Sequence, residues 1–506
     1  MFRVGIGRTG QPLALVARRA ELPAISGRAS RERNEDSFFW AMAAAIRAWS
    51  QGVLHYLYRL ANFTAPVTTP VQTRFRPAGT PSAAFWLCFA LSWASQLFAT
   101  DWPQWRGPDR TATWTESGIV ERLPTNGLKV RWRVPIAMGY SSPVIVGSKV
   151  YLSDAELKKP LVRERVHCLA GGSGKALWTY SYVHPVPDWF FTEEQARRPG
   201  ATPIVRKGKL YALDLFGNLV CLDTLQGNLA WKKNLKEEFQ MKETSVDASP
   251  LIEGDLLILM LGGKPGAGIV ALDRNTGREV WRALDEAVTW SSPIVIASGG
   301  VRQLIVWTQQ SVSSLNPTNG KVYWREATST GGSPGTAGVS TPVFQKGYLL
   351  VSGWMFQLEK DRPAAKTLWP EGKGVARRIL SDTSTGVLLG DYVFSAKAGG
   401  EFLCLKAATG AEIWKTSAVT DLLNGASIHV TVHGDSAFLF NHRGELIQAR
   451  LAPDGYHEIS RTKLIAPTST FGSRKFAWAA PAFAHRNVYA RNDQEVVCVS
   501  LAATSY

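Results

Sequence analysis

From about residue 130 onwards, short apolar stretches alternate with turns rich in Gly, Pro, Asn and Asp, a rhythm typical of β-strands. Each unit opens with an apolar strand, in most cases after Ser-Pro or Thr-Pro. A second strand follows, and the third strand ends in a turn with Gly four residues before Trp. Residues 271–281, Ala-Leu-Asp-Arg-Asn-Thr-Gly-Arg-Glu-Val-Trp, show this turn most fully. The pattern predicts a repeating unit of four antiparallel strands.

The repeat is marked by tryptophans that lie 43 to 53 residues apart along the chain. These tryptophans are Trp132, Trp178, Trp231, Trp281, Trp324, Trp369 and Trp414. The glycines of the matching turns are Gly174, Gly227, Gly277, Gly320 and Gly410. Glycine at the turn can take a positive φ. Each tryptophan then begins the outermost strand, where we expect its ring to bury about 150–250 Å² against the neighbouring unit.

A single four-stranded sheet cannot bury both of its faces, and a ring of stacked sheets solves this problem and removes long exposed edges. The sequence therefore predicts an all-β fold, an eight-bladed β-propeller over residues 100–506. We expect the strand around Trp132 to close the ring by completing a last blade that begins near Lys475. The unit of Trp369 and the unit after Trp414 fit the pattern least well, and seven blades is the alternative.

Two segments resemble a known family. Residues 271–281 resemble the tryptophan-docking motif of pyrroloquinoline quinone (PQQ)-type propeller repeats. Residues 101–108, Asp-Trp-Pro-Gln-Trp-Arg-Gly-Pro, resemble the start of exported bacterial PQQ-like repeat proteins. The resemblance covers about residues 101–506, and it implies the fold more strongly than any activity.

The family resembled has two branches. The quinoprotein alcohol and sugar dehydrogenases usually carry a vicinal disulfide against the quinone, and many carry a CxxCH haem motif. This chain has five cysteines, none of them adjacent and none in CxxC spacing. The other branch comprises non-catalytic propellers, including the scaffold lipoprotein of outer-membrane β-barrel assembly. The short repeats favour this branch, although no lipobox precedes Cys88.

The N-terminal part has the features of a targeting sequence. Residues 83–99 are apolar and uncharged, follow Arg74 and Arg76, and end at Ala99. They predict a signal peptide over residues 71–99, with translation starting near Val71. Residues 1–70 are then a non-globular extension or a mis-assigned start. A genuine Arg-rich targeting extension and an uncleaved membrane anchor are the alternatives.

Charge does not indicate a nucleic-acid partner. The net charge is +16, and no run of five Lys or Arg residues occurs after residue 100. Cys168, Cys221 and Cys404 share one repeat position and Cys498 ends a similar strand, so we expect four buried free thiols. Equivalent positions on different blades lie too far apart for disulfides.

No metal site or catalytic residue is predicted. Neither the histidines nor the aspartates near the inner strands form a recognisable ligand set. The residues considered for this are His429, His433, His442, Asp154, Asp214 and Asp247. The glycine-rich residues 262–268 are expected to form a hairpin turn rather than a phosphate-binding loop.

The longest interruption of the repeat lies between Trp178 and Thr202. It carries His184, Trp189, Phe190 and Phe191, a mixture that suits a recognition loop. The alternative is a loop that folds against its own blade. Residues 351–356 are a second candidate, for which a buried strand is the expectation.

The sequence therefore predicts a periplasmic or secreted monomeric propeller that acts as a non-catalytic binding or scaffold protein. Its partner is expected to be an envelope protein or a glycan, with no membrane span in the mature chain and no cofactor. The alternative is a dehydrogenase that uses PQQ with calcium. A cofactor-free hydrolase is a third possibility that no motif favours.

Overall fold

In a computed structural model the chain is described at residues 100–186, 188–191, 200–241, 246–328, 338–370, 380–381, 383–423 and 425–506. The predicted N-terminal extension, the signal peptide and Cys88 lie outside these residues. Among the described residues, no helix has the length and apolarity needed to cross a bilayer.

The described residues form eight four-stranded antiparallel sheets, which confirms the predicted eight-bladed β-propeller. The first strand is β1 (Val130–Pro135). The strands of blade 1 are β2 (Val144–Val146), β3 (Lys149–Lys158), β4 (Leu161–Ala170) and β5 (Ala176–Pro185). The strands of blade 2 are β6 (Ile204–Arg206), β7 (Lys209–Leu213), β8 (Asn218–Asp223) and β9 (Leu229–Asn234). The strands of blade 3 are β10 (Leu251–Glu253), β11 (Leu256–Gly263), β12 (Ala267–Asp273) and β13 (Glu279–Ala283).

The second half continues the same four-strand meander. The strands of blade 4 are β14 (Ile294–Ser298), β15 (Val301–Trp307), β16 (Ser311–Leu315) and β17 (Val322–Ala327). The strands of blade 5 are β18 (Val343–Gln345), β19 (Tyr348–Val351), β20 (Trp354–Leu358) and β21 (Ala365–Trp369). The strands of blade 6 are β22 (Val387–Leu389), β23 (Tyr392–Ala396), β24 (Phe402–Lys406) and β25 (Glu412–Thr416). The strands of blade 7 are β26 (Ile428–His433), β27 (Ser436–Asn441), β28 (Glu445–Ala452) and β29 (Gly455–Lys463).

A small hairpin and the closing blade complete the chain. The hairpin consists of β30 (Ser469–Phe471) and β31 (Arg474–Phe476), and the last three strands are β32 (Ala482–Ala484), β33 (Asn487–Arg491) and β34 (Glu495–Ser500). One short helix, α1 (Leu235–Glu238), follows blade 2, and single 3-10 turns lie at Asp188–Phe191 and Ala503–Ser505.

The ring is closed by the strand that the sequence predicts. In blade 8, β1 pairs antiparallel with β34, and Trp132 lies opposite Cys498 while Val134 lies opposite Val496. The blade begins at Ala482, directly after Ala480-Pro481, which the sequence marks as the opening of the last unit, and Lys475 lies just before it in the β30–β31 hairpin. The hairpin is a two-stranded sheet outside the blade pattern.

The Gly-Trp spacing reflects direct contact between neighbouring blades. The five turn glycines have φ values of 71° to 76°. A Cβ atom at any of them would lie 2.6–3.1 Å from the indole of the preceding blade's tryptophan, tighter than most real Cβ contacts. Glycine is therefore required both by the backbone conformation and by the indole packed on it. Trp324 differs, because its indole N–H donates to Gln303 of its own blade at 2.9 Å.

The opening residues of blades 1 to 4 are linked in series by hydrogen bonds. The backbone N–H of Ser142 donates to the Thr202 hydroxyl at 3.0 Å, that of Thr202 to Ser249 at 2.9 Å, and that of Ser249 to Ser292 at 2.9 Å. Each opening Ser or Thr thus satisfies a backbone donor of the preceding blade, which explains its place before the proline. The four cysteines in the described residues are free and buried between blades, as predicted.

Candidate functional site

In each four-strand meander, the turn between the second and third strands and the connection to the next blade lie on one face, which we call the upper face. The other turns lie on the lower face. Blade 1 extends furthest on the upper side, because β3, β4 and β5 each have 10 residues. The predicted recognition segment therefore starts within a strand, since β5 continues to Pro185 and includes His184.

The side chains of β5 alternate between two faces, as the period of two in a strand requires. Tyr180, Tyr182 and His184 lie on the side of blade 2, with the Tyr182 and His184 ring centroids 6.3 Å apart. Leu177 and Val183 point the other way and are exposed at 48% and 52%. The strand thus presents an aromatic ladder to blade 2 and an apolar edge to solvent.

Three ligand-type side chains meet at the upper end of this ladder. The carboxylate of Glu164 on β4, the His184 ring and the carboxylate of Asp214, in the turn between β7 and β8, have atoms within 4.8 Å of one another. Nε2 of His184 lies 3.7 Å from Oδ2 of Asp214. Glu164 and Asp214 are each 4% exposed, so the cluster is shielded from water between blades 1 and 2.

Asp214 is held in place by its own turn. Its Oδ1 accepts the backbone N–H groups of Phe216 and Asn218, both at 2.8 Å. Its Oδ2 accepts the Asn218 side-chain amide at 2.7 Å and the Tyr182 hydroxyl at 3.0 Å. The position of this carboxylate is therefore set by the fold.

Glu164 has a different environment. No hydrogen bond or ion pair joins its carboxyl group to any residue that the structure describes. Burial, reinforced by the negative charges of Asp214 and Asp154, raises the pKa of Glu164 well above its usual value. Burial also raises the pKa of Asp214, against the opposing effect of its hydrogen bonds from Asn218. Two acidic groups in one buried place create a strongly negative potential.

A third carboxylate nearby is fully paired. Asp154 accepts hydrogen bonds from Arg165 at 2.7 Å, from His167 at 3.1 Å, and from the backbone N–H of Ala137 at 2.7 Å. Burial acts against ionisation, but the bonds from His167 and Arg165 outweigh it and hold the pKa of Asp154 well below its usual range. Asp154 thus forms a structural ion pair with Arg165.

The aromatic residues of the predicted recognition loop are brought only partly into this site. Phe191 ends the 3-10 turn and packs with Phe216 against a small apolar cluster that contains Val162 and Leu215. Asp188 makes an ion pair with Lys159 at 2.9 Å. The side chains of Trp189 and Phe190 lie outside the described set. Phe191 thus packs on a cluster with members from blades 1 and 2, and the recognition loop stays a prediction.

The remaining candidate residues from the sequence have structural roles. Residues 351–356 form the end of β19, a turn and the start of β20, and Trp354, Met355 and Phe356 are buried as expected. Residues 262–268 form the β11–β12 hairpin. The three histidines of blade 7 bond separately: His429 to Trp478, His433 to Glu116 and His442 to Thr420.

The central channel is entered by residues 101–114, which we call the channel segment. Trp102 exchanges backbone hydrogen bonds of 2.8 and 2.9 Å with Ile145 on β2, and Trp114 donates to Val432 on β26 at 2.8 Å. Both partners lie at the lower ends of innermost strands. The segment therefore packs against the inner wall of the ring from the lower face.

Arg110 is the innermost anchor of the channel segment. Its guanidinium donates to the backbone carbonyls of Ser249 at 3.3 Å, Pro293 at 2.9 Å and Pro250. Burial lowers the pKa of Arg110 to about 9. A small cavity lies beside Trp105 and Arg106 and is also lined by His429 and Pro481.

A family model described as "Outer membrane protein assembly factor BamB" matches residues 162–416 and 354–455, which together make up more than half of the chain. The chain belongs to this family of PQQ-like propellers. The match begins in β4 and ends at the first residue of β29, so it covers strands from blades 1 to 7.

Two curated relatives carry the BamB name. That of Shewanella oneidensis is 23% identical over 226 residues, or 42% of this chain and 55% of the relative. That of Burkholderia pseudomallei is 23% identical over 344 residues, or 65% of this chain and 80% of the relative. A 1-butanol dehydrogenase (quinone) from Thauera butanivorans is 31% identical over 112 residues, which is 21% of this chain and 18% of that enzyme. The chain thus spans about half of the Shewanella protein and a smaller part of the dehydrogenase.

Solved structures agree on the propeller. The quinohemoprotein alcohol dehydrogenase from Comamonas testosteroni gives a TM-score of 0.56 over 79% of this chain and 80% of that enzyme, at 14% identity. A europium-containing methanol dehydrogenase gives 0.54 over 79% and 89%, at 13% identity. At these identities the likeness concerns the fold alone.

Proposed function

We propose that this BamB-family propeller is a non-catalytic binding or scaffold protein of the cell envelope, exported to the periplasm or secreted and acting as a monomer. The family match over blades 1 to 7 carries the proposal. Its partner is an envelope protein, and a glycan is the alternative. The assembly role printed in the names of the two BamB relatives belongs to those proteins and guides the choice of partner.

The structure offers two supporting features. The lower part of the channel, where an enzyme could place a substrate, is occupied by the chain's own Trp105, Arg106 and Arg110. The upper end of blade 1 presents exposed Val183 beside the Asp188–Phe191 turn. A rigid strand edge next to a turn is a suitable docking element for another protein.

The test uses a photo-crosslinking amino acid introduced into the full chain in its own cells. At Val183, 52% exposed on the upper side of blade 1, we expect a covalent adduct with one envelope protein. The matched control is Leu225, which is 78% exposed on the lower face of blade 2. Equal adducts at both positions, or a protein found only in the cytoplasmic fraction, would contradict the proposal.

The second candidate is a PQQ-dependent dehydrogenase that uses calcium. The match to the 1-butanol dehydrogenase (quinone) favours it, although that match covers only a fifth of this chain. Adding PQQ and Ca²⁺ to purified protein should give neither a stoichiometric quinone spectrum nor dye-linked alcohol oxidation. Saturable PQQ binding with turnover would replace the scaffold proposal by the dehydrogenase.

A further inference from the structure

The geometry points to a divalent transition-metal site between blades 1 and 2, with Glu164, His184 and Asp214 as ligands and Zn²⁺ as the cation that fits best. This assignment departs from the expectation of no metal. It does not rest on the proposed scaffold role, because it follows from the contacts of these three side chains alone.

Two groups in the cluster lack the partners that buried polar groups normally have. The His184 Nε2 atom is shielded from solvent and has no hydrogen-bond partner. Glu164 is 4% exposed and makes no hydrogen bond or ion pair within the described ranges. A buried polar atom without a partner is rare, so the His184 Nε2 atom beside the unpaired Glu164 carboxyl group points to a missing ligand. A cation would satisfy both at once.

The distances suit a metal ion. Zinc bonds to imidazole nitrogen and carboxylate oxygen at about 2.0–2.2 Å, which places neighbouring ligand atoms roughly 3–4 Å apart. Nε2 of His184 and Oδ2 of Asp214 are 3.7 Å apart, and all three ligand atoms lie within 4.8 Å. Three protein ligands leave a fourth position for water or for a group from a partner.

The charges and the neighbouring residues agree with this site. In the metal-free protein, burial and the negative charges of Asp214, Asp154 and Asp247 raise the pKa of Glu164. A bound cation would favour the ionised carboxylates, because ligands must be deprotonated to bind a metal. Asp214 is already oriented by Phe216, Asn218 and Tyr182 without using its contact to His184. Such outer hydrogen bonds are typical of metal-binding carboxylates.

The ligand types select the metal. Calcium prefers an all-oxygen shell of six to eight ligands, whereas this cluster offers one imidazole and two carboxylates. Imidazole favours Zn²⁺, Cu²⁺ and Ni²⁺ over calcium and magnesium. The ligands come from β4 and β5 of blade 1 and from the β7–β8 turn of blade 2, and none of them belongs to the channel segment. It is therefore distinct from any site in the channel.

The experiment titrates ZnCl2 into tag-free, chelator-treated full-length protein by calorimetry, with CaCl2 in a parallel titration and CoCl2 for its visible spectrum. We expect one Zn²⁺ per chain, no matching Ca²⁺ binding, and a cobalt spectrum that Zn²⁺ abolishes. E164Q and H184Q should each weaken Zn²⁺ binding by more than the about 10–100-fold typical of losing an outer-shell partner. Y182F should stay within that about 10–100-fold range.

The matched control is E156Q, a glutamate on the same hairpin whose side chain is 45% exposed and pairs with Arg165. It should bind Zn²⁺ like the wild type. If E164Q does not fold, H184Q carries the test. Absence of saturable 1:1 Zn²⁺ binding, or equal affinity in H184Q and E156Q, would overturn the site and indicate that Glu164 is simply buried in its protonated form. Neither result bears on the crosslinking test of the scaffold role.

Discussion

At the residue scale, tryptophan and glycine act as a pair across each blade interface. The Trp281 side chain is 7% exposed, its ring lies on Gly320 of the next blade, and its N–H donates to the carbonyl of Pro317 at 3.1 Å. The indole thus combines a large buried area with a satisfied polar group. This combination explains why tryptophan, rather than another large apolar residue, marks the repeat.

Replacing Trp281 with alanine should lower the free energy of unfolding by about 3–5 kcal/mol, because it empties an inter-blade space and orphans the Pro317 carbonyl. Urea denaturation monitored by circular dichroism measures this loss. Val280 is the matched control, since it is the preceding residue and 52% exposed. V280A should change stability by about 0.5 kcal/mol or less. Similar losses in both variants would mean that Trp281 does not seal the interface.

His429 makes stability depend on pH. Its Nε2–H donates to the Trp478 carbonyl at 2.8 Å, and burial, helped by the positive charge of Arg106, lowers the pKa of His429 to about 4. In the unfolded chain a histidine pKa is about 6.5. The folded state therefore binds fewer protons between these values, so this contribution is complete above about pH 6.5 and is lost as the pH falls towards 4.

Lowering the pH from 7 to 4.5 should therefore reduce the free energy of unfolding by at most about 3 kcal/mol through His429. This limit allows for the partial exposure of the side chain. Other groups also titrate in this range, so the difference between wild type and H429Q is the informative quantity. Glutamine keeps a donor for Trp478 and has no proton to gain. We expect H429Q to lose less stability than the wild type in urea titrations at the two pH values. Identical losses would refute the assignment.

At the element scale, most of the fold follows from one local signal. The Gly-Trp turns locate the outermost strands, and Trp132 without a preceding blade indicates closure by β1. The signal is weaker where the turn chemistry changes. Trp324 has no turn glycine to pack on and bonds to Gln303 instead. The β30–β31 hairpin has no repeat features, so the repeat pattern does not predict it.

The repeat pattern does not predict the Glu164–His184–Asp214 cluster. Its members lie on two strands of blade 1 and in a turn of blade 2, at positions that are not equivalent in the repeat. One local signal was available. On β4, Val162, Glu164 and Val166 share the buried face of an alternating strand, so an acidic residue stands where the pattern calls for an apolar one. A polar residue on an apolar face predicts a buried polar site, but only the structure supplies its neighbours.

Ring closure by β1 can be tested by a disulfide. Val134 and Val496 are directly opposite in the antiparallel β1–β34 pair, where Cα atoms lie about 4.5–5.5 Å apart, within disulfide range. The double variant V134C/V496C should form a bond under oxidising conditions and raise the unfolding free energy by about 2–4 kcal/mol. Electrophoretic mobility and thermal melting with and without dithiothreitol measure both effects.

V134C alone is the control, and it should respond to the reductant no more than the wild type. The four cysteines in the part of the chain that the structure describes are buried, so they should not compete for the new cysteines. Failure of the double variant to form the bond would place β1 elsewhere and would open the ring.

At the scale of the whole molecule, the channel segment ties blades together that are distant in sequence. Residues of this segment bond to β2, β26 and the openings of blades 3, 4 and 5. Arg106, Arg110 and Ala112 all have φ between 53° and 60°, a strained conformation for residues with a Cβ. Such strain persists only where the surroundings hold the backbone in place. The segment is therefore a firmly held brace of the inner wall.

Removing the Arg110 side chain tests this bracing. The guanidinium is buried, no carboxylate of the described chain pairs with it, and its donors satisfy three backbone carbonyls of blades 3 and 4. Each orphaned acceptor costs about 1–3 kcal/mol. Release of the buried charge from desolvation offsets part of this cost. We therefore expect R110A to lose at least about 3 kcal/mol of unfolding free energy and to expose residues 101–114 to limited proteolysis.

Arg122 is the matched comparison, because it is an exposed arginine of the same N-terminal region that donates to one carbonyl, that of Ile459. R122A should change stability by about 0.5 kcal/mol or less and leave the cleavage pattern unaltered. If R110A were as stable and as protease-resistant as R122A, the inner strands would hold the ring without the segment. The channel would then be free to open, and a ligand in the channel would become compatible with the fold.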